Sequence, residues 1–436
     1  MSMPLRPRPG AGPSPVLPLR FLAAAAAAYV LAALAVAWVA PELSGHYYHP
    51  RLLALTHLAT LGWITLSILG ASYQILPIVL GRPVWSERLA RWQFWILAAS
   101  IAGMVAHFHL ATWPGLVAAA ALLATGITLH LLNLAMSLRG FRQWTFTARA
   151  MLLGYAGLAL TALFGLALAA NRVRPFLPGS LLPTLHAHVH LALLGWVTPM
   201  VFGVMARVYP LFLLSPEPAA WLGRVQLWGV AVGVPILLAG LVAVPGLILP
   251  GALAVVVATA AHAGSVIDMT RRRKRPALDW GLRFTLTGAA FLLPATGTGL
   301  GLALDLLSGP RVALAYAVLA LGGWISLTIA GMMLKIVPFL VWYRVYGPRV
   351  GRAPVPTMAQ LSSPPLEALA HALLTTGTVL LATTVALGET AWIRGAGVVL
   401  ALGALAFAAA LARVLRHLIA SARVERVAAP AGIRVP

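Results

Sequence analysis

Histidine is the residue type in this chain that is best suited to chemistry. Twelve histidines occur among 436 residues, whereas cysteine is absent. Imidazole nitrogens bind metal ions, and histidine is the side chain whose charge changes near neutral pH. The absence of cysteine excludes disulfides, thiolate-bound zinc, cysteine-ligated iron–sulfur clusters and covalent haem attachment through CxxCH. Any metal or cofactor would therefore be bound through histidine, methionine or oxygen.

Three histidines lie close together in the segment His186-Ala-His188-Val-His190. On a helix, residues two apart point about 200° apart, whereas residues four apart share a face. The spacing therefore predicts that His188 and His190 contact different neighbours, and that His186 and His190 contact the same one.

A pattern of Gly-Trp, a second glycine and a proline at fixed offsets occurs three times. Its copies are Gly62-Trp63, Gly70 and Pro77; Gly195-Trp196, Gly203 and Pro210; and Gly323-Trp324, Gly331 and Pro338. His57 and His190 occupy the same position in the first two copies, and Val318 replaces them in the third. Repetition at fixed offsets predicts three units of four helices around a pseudo-threefold axis.

The elements that must position these residues are apolar segments long enough to cross a bilayer. Hydrophobic residues make up 61% of the chain and charged residues only 9%, against about 25% in soluble proteins. The twelve predicted spans cover residues 18–40, 52–80, 91–111, 115–138, 150–170, 183–213, 222–243, 247–269, 283–305, 311–340, 365–387 and 391–420. We therefore predict an all-α polytopic membrane protein, with residues 1–436 as a single transmembrane domain and repeat units at about 18–138, 150–269 and 283–420.

Basic residues are concentrated in alternate loops, which predicts the orientation of the chain. The formal net charge of +22 reflects this loop arginine, so it indicates topology and not a nucleic-acid partner. With Arg6 and Arg8 on the cytoplasmic side, most arginines fall inside. The rule that positive charge stays inside then predicts a multi-pass protein of the plasma (inner) membrane with both termini cytoplasmic. The first apolar run, Phe21 to Ala40, is expected to span the membrane uncleaved.

Most histidines map to the predicted outer ends of spans two, three and six. Because His57 and His190 share a repeat position, we expect them to face each other across a glycine-lined gap, as two axial ligands of one haem would. His188 would serve a second haem or a copper ion, and the metal-ligand candidates are His186, His107 and His109. The alternative is a hydrogen-bonded polar seam of histidines in a transporter.

The residues from His188 to Val197 resemble the helix of the C-family haem-copper oxidases in which an H-x-H pair divides its ligation between two haems. That family's catalytic subunit also has twelve helices in three arcs of four. The run from His190 to Arg207 is similar to a segment of the NnrS family of membrane proteins, which is associated with haem, copper and nitric oxide. The resemblance implies that His57 and His190 are axial ligands of a b-type haem and that His188 is the proximal ligand of another.

The chain also departs from the oxidases. It contains no adjacent His-His pair for copper and no identifiable counterpart of the cross-linked tyrosine, and its nine carboxylates lie at span ends or in loops. These departures favour a protein that is not a complete oxygen reductase.

Three hypotheses follow from the sequence. The first is a haem-binding membrane protein of the haem-copper oxidase or NnrS type, acting in nitric oxide or respiratory redox metabolism, with an electron donor or small cytochrome subunit as partner. The second is a catalytic oxygen or nitric oxide reductase with copper or iron bound by His107, His109 and His186. The third is a transporter with structural histidines. No catalytic residue is assigned.

Overall fold

The part of the chain that the structure describes contains twelve apolar helices that are each long enough to cross a membrane. The computed structural model describes residues 14–428, with side chains for residues 14–420. The helices are α1 (Val16–Trp38), α2 (Pro50–Leu80), α3 (Glu87–His109), α4 (Trp113–Leu138), α5 (Phe146–Val173), α6 (Leu181–Leu213), α7 (Ala220–Val242), α8 (Pro245–Arg271), α9 (Trp280–Ala303), α10 (Pro310–Val345), α11 (Pro364–Leu387) and α12 (Thr390–Ala420). No strand occurs among the described residues. The prediction of an all-α membrane protein with twelve spans is confirmed.

The observed boundaries differ from the predicted ones at a few places. α10 continues to Val345, beyond the predicted end at residue 340, because the helix runs through Pro338 without ending. The last helix extends past its apolar part to Ala428. Arg6 and Arg8, on which part of the predicted orientation rests, lie outside the described residues, and the orientation stays a prediction.

The helices α2, α6 and α10 each contain a π-helical segment at the same repeat position. These segments are Leu58–Thr65, Leu191–Val197 and Val318–Ser326. In α2 and α6 the π-helical segment begins directly after the repeat histidine, and in α10 it begins at Val318, which replaces that histidine. A π-helical turn holds an extra residue and is frequent at functional sites. The three copies of the sequence pattern therefore share one backbone distortion.

The tryptophans of the repeat join these helices through hydrogen bonds. In α2, Nε1 of Trp63 donates to Oγ of Ser326 in α10 at 2.9 Å, and both residues are buried. In α6, Nε1 of Trp196 donates to Oγ1 of Thr65 in α2 at 3.5 Å. Each hydroxyl lies three residues after a Gly-Trp glycine, so the same two repeat positions meet at both contacts.

A small internal cavity of about 80 Å³ lies where α2, α6 and α10 meet. Apart from Leu22, its walls are the same five repeat positions of each helix. These are Ser67, Ile68, Ala71, Ser72 and Ile75 in α2, Met200, Val201, Val204, Met205 and Val208 in α6, and Thr328, Ile329, Met332, Met333 and Ile336 in α10. The three helices thus surround a common centre in equivalent registers. The grouping of all twelve helices into three four-helix units stays a prediction.

Candidate functional site

The three histidines of α6 are placed at the end of its first α-helical segment, Leu181–His190. Nδ1 of His190 donates a hydrogen bond to the backbone carbonyl of His186, at 2.8 Å. Because the N–H is on Nδ1, the lone pair on Nε2 is free to bind a metal. Histidines that bind metals usually donate their other ring nitrogen in this way.

His190 lines a cavity with a volume of about 450 Å³. Its walls come from α6 to α10 and are mostly Leu, Ile, Val and Ala side chains. Across the cavity, the Tyr316 ring of α10 is stacked with the His190 ring at a centroid separation of 6.1 Å and an interplanar angle of 22°. Cofactor sites typically have volumes of about 300–1,000 Å³ and apolar walls with a few polar groups. The cavity has both properties.

Polar side chains close the cavity at the end of the bundle where α6 begins. His46 and Tyr47, from the connection between α1 and α2, line it together with His186. The Tyr47 hydroxyl lies 2.8 Å from Nε2 of His186, and the His46 and Tyr47 rings are 4.3 Å apart. Burial raises the pKa of Tyr47, so its hydroxyl keeps the proton that it can donate to His186. No Asp, Glu, Lys or Arg lines the cavity.

His57 occupies a different environment in α2. Its Nδ1 donates to the backbone carbonyl of Leu53 at 2.7 Å, which leaves Nε2 free as in His190. Its ring is stacked on Phe108 of α3 at 4.7 Å and 26°. His57 is close enough to His188 for the charges of the two imidazoles to interact. The two repeat histidines therefore have the same backbone hydrogen bond but different neighbours.

His188 is packed against α5. A Cβ on Gly165 would lie 3.1 Å from Cε1 of His188, so glycine permits the close approach of this imidazole. Nδ1 of His188 is buried and has no hydrogen-bond partner within the described part of the chain. Neither His188 nor His57 lines the cavity of His190.

The structure therefore pairs the histidines differently from the expectation that His57 and His190 face each other. His188 and His190 are two residues apart on an α-helix, so their side chains leave α6 in nearly opposite directions. The His188 side chain points towards α5 and His57, and the His190 side chain points into the cavity shared with α10. The predicted separation of His188 from His190, and the shared side of His186 and His190, agree with these positions.

The candidate metal ligands His186, His107 and His109 do not form one site. Nδ1 of His107 is 2.7 Å from Oγ1 of Thr112, beyond the end of its own helix. His109 is exposed, whereas His186 contacts Tyr47. Between residues 14 and 420, no group of three or more His, Cys, Asp or Glu residues is placed to bind a metal ion. A metal site made by these three residues together has no support in their positions.

The sequence patterns did not predict two features of the site. Tyr316 lies seven residues before Gly323, and His188 lies seven residues before Gly195. The two residues therefore share a repeat position, and the repeat could have indicated Tyr316. The contact of Tyr47 with His186 joins residues 139 apart, and no pattern in the sequence indicates it.

Two comparisons with known proteins bear on the site. The family model for cytochrome c and quinol oxidase polypeptide I matches residues 21–249, more than half of the chain, including His57, His188 and His190. The chain is similar to quinol oxidase subunit 1 of Sulfolobus acidocaldarius, with 28% identity over 183 residues. That alignment covers 39% of this chain and 35% of the relative, so the chain matches about a third of the relative's length.

Proposed function

The chain belongs to the cytochrome c and quinol oxidase polypeptide I family, and from this membership we propose that it binds a b-type haem in the cavity between α6 and α10. His190 would hold the haem iron through its free Nε2. The protein would act in respiratory or nitric oxide redox metabolism, in the plasma membrane and with both termini on the cytoplasmic side.

The observation that carries the proposal is the state of His190. Its Nδ1–H is bound to a backbone carbonyl, its Nε2 is free, and its side chain lines a mostly apolar cavity of about 450 Å³. A histidine with a purely structural role would be expected to use both ring nitrogens or to be packed without free space beside it. The transporter hypothesis gives no reason for this combination.

The remaining cavity residues have separate roles in this proposal. The apolar walls from α7, α8 and α9 exclude water from the flat faces of the ligand. Since no cationic side chain lines the cavity, His46, Tyr47 and His186 at its mouth would receive the polar edge of the haem through neutral hydrogen bonds. Bound haem supplies a one-electron redox centre whose potential depends on its axial ligand and surroundings.

A second pair of candidate ligands lies on the opposite side of α6, with His188 from α6 and His57 from α2. His57 also donates Nδ1–H to a carbonyl, and His188 lies within electrostatic range of it. We assign His57 and His188 to this face, as ligands of a second haem or of copper. Oxygen or nitric oxide as substrate, an electron donor and a small cytochrome subunit as partner belong to the same proposal.

The proposal is tested by purifying the protein from cells supplied with haem precursor and recording the pyridine haemochrome spectrum, with metal analysis for iron and copper. We expect b-type haem with a Soret band, and a large loss of haem in His190→Ala. The matched control is His371→Ala, because neither His371 nor its partner Thr287 lines the cavity. Folded wild-type protein without a Soret band would contradict the proposal.

Gas consumption is the second part of the test. Membranes given an electron donor should consume oxygen or nitric oxide only if His57 and His188 hold a metal or haem that forms part of a reaction centre. Consumption that is lost in His188→Ala supports a reductase. Haem binding without consumption instead supports a redox or gas-sensing role.

A further inference from the structure

A second polar cluster lies inside the bundle formed by α2, α3, α4 and α5, away from the histidines of the candidate site. It consists of Tyr73, Gln93, His130 and Tyr155, each at most 1% exposed. The Tyr73 hydroxyl donates to Oε1 of Gln93, and Nδ1 of His130 lies 3.1 Å from the same hydroxyl. The rings of His130 and Tyr155 are 5.1 Å apart.

Three polar atoms of this cluster lack a partner. Nε2 of Gln93, Nε2 of His130 and the Tyr155 hydroxyl are buried and have no partner within hydrogen-bond distance in residues 14–420. The Ser72 hydroxyl lies next to the Tyr155 hydroxyl but donates to the backbone carbonyl of Ile68. A buried polar atom without a partner is costly, and nearly all such atoms in native proteins bond to the protein or to ordered water. A buried water molecule typically has two to four polar partners, which is the number of free atoms here.

Polar groups connect the cluster to the end of the bundle where α2 ends and α3 begins. Asn133, one turn beyond His130 in α4, lies next to Tyr73. Its Nδ2 donates to the backbone carbonyl of Ser86 at 2.8 Å, and its Oδ1 accepts from the Ser86 backbone N–H at 3.0 Å. Ser86 belongs to the loop before α3 and is partly exposed. Polar side chains therefore extend from the buried cluster to this partly exposed loop.

The chain contains a second copy of the cluster in which one polar atom, Nε2 of His262, is buried without a partner in residues 14–420, fewer than the two partners that a buried water needs. Gln226 follows Pro210 at the same distance at which Gln93 follows Pro77. Here Nε2 of Gln226 donates to Oγ of Ser265 at 2.9 Å. Nδ1 of His262 is 3.4 Å from Oε1 of Gln226, and the Phe202 ring is stacked on the imidazole at 4.2 Å. An aromatic ring thus covers His262, whereas two tyrosines face His130.

We propose that Gln93, His130 and Tyr155 bind an internal water molecule that exchanges with bulk water past Asn133 and Ser86, and that the second copy around His262 is dry. The site gives water, and the protons that it carries, access to a histidine in the membrane interior. Intramembrane histidines commonly mark such proton routes. The inference goes beyond haem binding and does not depend on it.

The test is X-ray radiolytic footprinting of the full-length protein in lipid nanodiscs, followed by mixing with ¹⁸O-labelled water. Hydroxyl radicals from a bound water label the side chains beside it. We expect stronger labelling of Tyr155 than of Tyr29, although Tyr29 is the more exposed of the two, at 9% against 1%. We also expect ¹⁸O to appear on Tyr155. Labelling of Tyr155 no stronger than that of Tyr29 would overturn the proposal.

The two copies provide matched variants. Gln93→Leu should reduce Tyr155 labelling several-fold, whereas Gln226→Leu should leave it at the wild-type level. If Gln93→Leu does not fold, as judged by gel filtration and circular dichroism, His130→Phe and His262→Phe form the equivalent pair. Equal labelling of Tyr155 in both members of a folded pair would contradict the assignment of the water to the first copy.

Discussion

The two faces of α6 provide different environments for two histidines of the same helix. On one face, His190 borders a cavity of about 450 Å³ with mostly apolar walls. On the other, His188 is packed so closely against α5 that a Cβ at position 165 would lie 3.1 Å from its ring. The difference shows that an H-x-H segment alone does not define a site. The space beside each imidazole decides what each can bind.

The largest effect is expected from filling the cavity. Ala295 is buried and lines it, and Ala295→Trp would occupy space that the proposed haem needs. Overpacking typically costs about 1–3 kcal/mol. If haem binding has to meet this cost, haem affinity should fall by about five- to 150-fold. Haem titration of the purified apoprotein measures this loss. The control is Ala121→Trp at an exposed position of α4, and an equal loss in that variant would contradict the comparison.

A bulky residue on the packed face should change stability and leave the cavity intact. Gly165→Val places methyl groups against the His188 ring, and we expect a loss of about 1–3 kcal/mol in stability from overpacking. Thermal unfolding followed by circular dichroism measures it, with the smaller Gly165→Ala expected to lie between wild type and valine. Haem binding at His190 should be unchanged. If Gly165→Val instead removed all haem, the two faces would not be independent.

A smaller effect is expected at the mouth of the cavity. Tyr47→Phe removes the hydroxyl that contacts His186 and leaves the ring in place. One such hydrogen bond contributes about 0.5–1.5 kcal/mol, which corresponds to about a two- to tenfold loss of haem affinity. His188 and His57 should keep their environment. The same titration tests the variant, and unchanged affinity would exclude a role for the Tyr47 hydroxyl.

The pH dependence of the same contact should give the smallest effect. Because burial raises the pKa of Tyr47 in the folded protein, the unfolded chain loses this proton first as the pH rises. The stabilisation is therefore present below about pH 10 and is lost as the pH rises through the raised pKa. The difference in Tm between wild type and Tyr47→Phe should shrink above that pH. A difference that is constant with pH would show that Tyr47 does not contribute in this way.

Much of the fold could be predicted from the sequence because lipid imposes a simple length and composition rule on each helix. The apolar runs gave twelve spans. The spacing of Gly-Trp and Pro picked out the three helices that contain the π-helical segments and line one small cavity. The π-helical segments could not be predicted. They depend on how three helices pack around one centre, and a π-helical turn looks like ordinary apolar helix in sequence.

The candidate site was predicted less completely. The repeat drew attention to His57 and His190, and the segment from His186 to His190 drew attention to His188, but neither pattern predicted how the three histidines are paired. Repeat symmetry takes no account of Tyr316, which lines the cavity beside His190, or of Gly165, which permits the close approach of His188 to α5. Which histidines face each other depends on these tertiary contacts and not on repeat position alone.

The most direct test of haem ligation by His190 is chemical rescue of the missing side chain. His190→Gly leaves space where the imidazole was, and free imidazole can enter the cavity and replace it. We predict that the variant loses the Soret band and that added imidazole restores it, whereas His188→Gly keeps the cavity haem without imidazole. A His190→Gly protein with wild-type haem content and an unchanged spectrum in the absence of imidazole would contradict the proposal.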